Sequence, residues 1–80
     1  MKAASTTVRL QKMGFVPAIR YSEVEIGDRL LYNHGFRYTV TAVSHCGAWA
    51  HVTVKSEKTG NEWTNRRLLK SAVGYLGSAN

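Results

Sequence analysis

One cysteine, one proline and two tryptophans stand in 80 residues, and these scarcities exclude a good deal. A single thiol, Cys46, can build neither an internal disulfide framework nor a four-cysteine zinc site. No stretch approaches the roughly 18 apolar residues of a membrane-spanning helix, and the first residues lack the apolar centre of a secretory signal. The expectation is a cytoplasmic protein with no membrane attachment. Acids are scarce too, five against eleven Lys and Arg, leaving a net charge of +6. With 44% apolar residues the composition is that of a folded chain, and 80 residues make one small domain.

The charge is segregated. Residues 1–21 carry Lys2, Arg9, Lys12 and Arg20 without an acid, so +4. Residues 22–62 hold all five acids (Glu23, Glu25, Asp28, Glu57, Glu62) against Arg29, Arg37, Lys55 and Lys58, so −1. Residues 63–80 add Arg66, Arg67 and Lys70, so +3. Basic ends around a balanced middle suit a polyanion partner, and they also serve solubility.

Residues 1–21 are expected to form a basic, partly disordered arm, with Met1 to Thr7 too small and polar to be held. Val8, Leu10 and Met13 fit either a short strand or a turn of helix. From Tyr21 the pattern sharpens. Arg29 to Tyr32 reads as a strand, and Asn33-His34-Gly35 as a turn. Phe36 to Ser44 alternates with period two, placing Phe36, Tyr38, Val40 and Ala42 on one face of a half-buried strand. Trp49 to Lys55 follows with Ala50, Val52 and Val54 inward, which turns Trp49, His51, Thr53 and Lys55 outward. Ser56 to Gly60 predicts a hairpin with Gly60 in the left-handed position, and Asn61 to Thr64 returns with Trp63 inward. Asn65 to Lys70 predicts one helical turn, Ala72 to Leu76 a last strand, and residues 77–80 a tail. The expected fold is all-β: a small barrel of about five short antiparallel strands over residues 22–76, with that helical turn near the C-terminus. Its predicted core is Ile26, Leu30, Tyr32, Tyr38, Val40, Ala42, Ala50, Val52, Val54, Trp63, Leu68 and Leu69. A homodimer would add burial to so small a domain.

The run Ile26-Gly27-Asp28-Arg29-Leu30-Leu31-Tyr32, a turn, a long strand, a hairpin ending Thr59-Gly60 and a basic segment resembles SH3-like barrels of the KOW and Tudor kind over residues 22–76. The resemblance lies in spacing, and it implies a binding barrel. RNA-binding modules, methyl-ligand readers and small phage or plasmid proteins share that frame. The plasmid-type dihydrofolate reductase barrel opens in a similar way, but no Val-Gln-Ile-Tyr run follows the last hairpin, so its catalytic residues have no counterpart here.

His34, His45, Cys46 and His51 fall within 18 residues, yet a strand places His34 and His45 roughly 30 Å apart at about 3.3 Å per residue. The spacing of His45, Cys46 and His51 fits no common zinc motif, so neither a metal nor another cofactor is expected. Cys46 beside His45 is the one candidate nucleophile, and no orienting third group marks it. The expectation is a non-enzyme. Trp49, flanked on its face by His51, Lys55 and Arg37, is a stacking platform for an unpaired base, and Arg66, Arg67, Lys12 and Arg20 extend the cationic track. Two other readings stand beside it. The same residues could dock an acidic protein surface, as in a phage- or plasmid-type factor that modulates a host protein. Alternatively Phe15 to Ile19 could fold over Trp49 and bury it.

Overall fold

A computed structural model describes residues 2–78. Seven strands run β1 Thr6–Leu10, β2 Gly14–Arg20, β3 Asp28–Leu31, β4 Arg37–Cys46, β5 Trp49–Ser56, β6 Glu62–Leu68 and β7 Ala72–Ser78. All pair antiparallel in one sheet of order β1-β2-β7-β3-β4-β5-β6, curled into a half-barrel. The all-β expectation holds, with seven strands in place of about five. The helical turns are 3-10 turns at Tyr21–Glu23 and Asn33–Gly35, not near the C-terminus. The segment Asn65 to Lys70, read as helical, is mostly β6: β5 offers it a continuous ladder from Lys55 to Trp49, and pairing outweighs the weak preference of one isolated turn. No described helix is long and apolar enough to cross a membrane.

Residues 6–20, expected in an arm ahead of the barrel, are two strands of the sheet. Pro17 fits because β7 pairs with β2 only from Ala18 onward, so its missing N–H interrupts no bond to β7. Lys2 is tied down as well. Its ammonium meets Asp28 Oδ2 at 2.5 Å and Glu25 Oε1 at 3.0 Å, donates to the Glu23 carbonyl and lies over the Tyr75 ring. At the other end, Gly77 and Ser78, assigned to the tail, close β7, while Ala79 and Asn80 lie outside the described residues.

Ile19, Tyr21, Val24, Leu30, Val40, Ala50, Val52, Val54, Val73 and Tyr75 form the core, so the N-terminal hairpin and β7 supply much of it. Four predicted core residues lie outside, Leu68 among them because its register with Trp49 sets it on the opposite face of the sheet. Ile26 is 62% exposed because a turn closed by Asp28 N–H to the Glu25 carbonyl puts it at the tip, and Val24 is buried instead. Ala42 is exposed because β4 carries a bulge between Val40 and Ala42. That extra residue inverts the alternation, and Val43 packs on the core in its place. Trp63 is 39% exposed because β6 is an edge strand of an open half-barrel, although its ring stands edge-on to Tyr38 at 4.9 Å. Gly74 marks the tightest packing: a Cβ there would stand 2.5 Å from the Leu31 carbonyl oxygen. The Ser56–Gly60 turn closes as read, with Gly60 at φ +79° and its N–H donating to the Ser56 carbonyl.

Candidate nucleic-acid interface

Register sets out the outer face of β4, β5 and β6 row by row. Cys46, Trp49 and Leu68 stand abreast, then Ser44, His51 and Arg66, then Ala42, Thr53 and Thr64, then Thr39, Lys55 and Glu62. The Thr53 and Thr64 hydroxyls are 2.8 Å apart, which fixes that third row on one side of the sheet. Ala50, Val52 and Val54 are buried on the other side, so the phase of β5 is the one its alternation predicts.

Trp49 is half-buried, and the cover is not the N-terminal segment. The Arg66 guanidinium lies 4.1 Å from the centroid of the ring, reaching it diagonally from the next row. A guanidinium so placed is held by the electron-rich ring face and is itself a flat surface on which a base stacks. Beside this pair the β6–β7 turn is fastened by Leu69 N–H to the Ala48 carbonyl at 2.9 Å. It brings Lys70, a cation missed in the sequence reading although it belongs to the same basic segment. Arg20 Nη1 donates to the Lys70 carbonyl at 2.7 Å, so Arg20 stands at this end of the molecule. Among the described residues no carboxylate pairs with Arg66, Lys70, Arg20 or His51.

The rest of the expected track is dispersed. Lys55 is on the same outer face but three rows from Trp49, opposite Glu62. Arg37 opens β4, roughly 30 Å along the strand from Cys46 and Trp49 at about 3.3 Å per residue. Its carbonyl accepts the Glu57 N–H at 3.1 Å. Glu57 is engaged by Arg29 through two guanidinium bonds of 2.9 and 3.0 Å, and these hold its carboxyl below the usual range. Lys12 is the exposed left-handed residue of the β1–β2 turn, whose Gln11 carbonyl accepts the His34 N–H. It belongs to the Arg37 end. Arg67, adjacent to Arg66, pairs with buried Ala50 and so faces the inner side. His45 and Cys46 are consecutive on β4 and alternation sends them to opposite faces, which separates the imidazole from the thiol.

The inner face carries a second cluster. Tyr32 and Tyr38 have centroids 4.6 Å apart, and with Tyr21, Phe36 and Arg67 they line a cavity of about 350 Å³ at the mouth of the half-barrel. Sequence reading assigned Tyr32 and Tyr38 to the core because their phase matches Leu30 and Val40, and nothing local shows that the barrel stays open above them. Compared with known protein families, with curated proteins and with solved structures, the chain has no significant match.

Proposed function

We propose that this protein is a non-enzymatic binding module, an SH3-like platform whose outer β5–β6 face holds single-stranded nucleic acid. The observation that carries the reading is the Trp49–Arg66 stack beside Lys70, with no carboxylate paired to either cation among the described residues. An unpaired base extends the stack, and His51, Lys70 and Arg20 receive the flanking phosphates. Contacts of this kind read the backbone and the ring faces more than the base identity. Lys55 and Arg37 lie further along and steer the strand through the field of the surface.

The test is fluorescence anisotropy of labelled single- and double-stranded oligonucleotides at about 50 and about 200 mM salt. With two phosphates neutralised by Lys70 and Arg20, the affinity for single strands should fall roughly sevenfold across that range. Trp49→Ala removes a stacked base worth about 1–3 kcal/mol, hence a loss of roughly 5- to 150-fold, while its melting temperature stays close to that of the parent. Binding indifferent to Trp49, or seen only at low salt, overturns the proposal. Affinity for a captured acidic protein that hardly changes with salt would assign Trp49 to a protein interface instead.

A further inference from the structure

The cavity at the mouth of the half-barrel lies on the opposite side of the sheet from Trp49 and makes no use of it. About 350 Å³ is within the range of small-molecule sites, and five of the eleven lining residues carry flat rings. Three features describe an occupant. The tilted Tyr32–Tyr38 pair, with Trp63 edge-on behind it, offers ring faces and edges to another ring. Arg67 supplies the positive charge: no carboxylate pairs with it among the described residues, and its one hydrogen bond is a long 3.3 Å contact to the neighbouring Arg66 carbonyl. The Tyr32 hydroxyl is buried beside Tyr21 and Asn65 and shut off from the open space, so this wall presents ring surface rather than a hydrogen-bonding group.

An aromatic enclosure alone would suit a cation. Here Arg67 repels one, and no acid lines the cavity to compensate. We propose that the cavity binds a planar aromatic anion, its ring against Tyr32 and Tyr38 and its charge on Arg67.

Nucleoside 5′-monophosphates and aromatic carboxylates such as indole-3-carboxylate share this chemistry, and titrating each into the ¹⁵N-labelled full chain distinguishes the two sources. Members of one panel should shift amides of Tyr32 to Tyr38 and of Asn65 to Arg67, leaving Trp49 and His51 unmoved. The matching nucleosides and ribose 5-phosphate, lacking charge or ring, should bind at least tenfold more weakly. Arg67→Gln should cost at least tenfold for the anions and little for the uncharged rings. Trp49→Ala should leave all of this intact, so the two sites fail separately. The proposal is overturned if neither panel shifts these amides at millimolar concentration, or if ribose 5-phosphate binds as well as the nucleotides and the carboxylates stay silent.

Discussion

Lys2 and Arg66 come from the two basic segments of the chain, and the fold uses them in opposite ways. Lys2 is spent internally: three oxygens and the Tyr75 ring surround its ammonium, and Asp28 is 3% exposed beneath it. Arg66 lies against a tryptophan face, and no carboxylate pairs with it among the described residues. A count of charges along the sequence treats these segments as equivalent. In space, the corner made by β2, β7 and β3 consumes the charge of Lys2 to hold the start of the chain on the sheet, while the β5–β6 flank leaves the charge of Arg66 for a partner. Net charge therefore locates the binding face only after the internal pairs are subtracted.

The largest expected effect tests whether the corner is a structural unit. Ile19 is fully buried in the core. Ile19→Ala should cost about 3–4 kcal/mol by denaturant melting, within the usual range for a large-to-small core change. Were residues 6–20 a dispensable arm, the loss would be below about 1 kcal/mol, as for an ordinary surface change. Asp28→Ala comes next. It strips Lys2 of its nearer carboxylate and the Glu25 N–H of its acceptor. The expected loss is about 2–3 kcal/mol, below that of a fully buried pair because Lys2 can swing into water. Amide exchange should quicken in β1 and β2 and stay slow in β5. Equal quickening in both regions would show that corner and flank open as one unit.

How much of this was legible follows from where each signal resides. The inward Ala50, Val52 and Val54 and the Gly60 hairpin are local patterns, and they stand in the structure as read. The bulge between Val40 and Ala42 is not local: one extra residue in β4 is defined only against β5, so Ala42 and Val43 exchange faces without any mark in their own sequence. The same holds for the second half of β6, Asn65 to Leu68, which reads as a basic turn until β5 is beside it. Of the expected site, Trp49, His51 and Arg66 do meet, because their relation is fixed by one hairpin register. Arg37, Lys12 and Arg67 do not, because strand length and alternation carry them to another end or another face.

The smallest effect separates the two regions by pH. Lys2 and Tyr75 in the corner are both raised. For Lys2, burial opposes the charge but the bonds to Asp28 and Glu25 outweigh it, and for Tyr75 burial disfavours the anion. A group whose pKa is raised by folding contributes stability that is complete below its ordinary value, near 10 for both, and lost as pH climbs through the folded value. Outside the corner, Glu57 is lowered, first by its bonds from Arg29. Its contribution is complete above about 4.5 and disappears as pH falls through the lowered value. The two limbs of a stability–pH profile should therefore answer to different substitutions. Tyr75→Phe should flatten the alkaline limb and spare the acid one, whereas Glu57→Gln should do the reverse, weakly, since the pair is largely solvated. If Glu57→Gln altered the alkaline limb as well, the Arg29–Glu57 bridge would be coupled to the corner through β3, the strand that carries both Asp28 and Arg29, and the division drawn between the regions would have to move to β4.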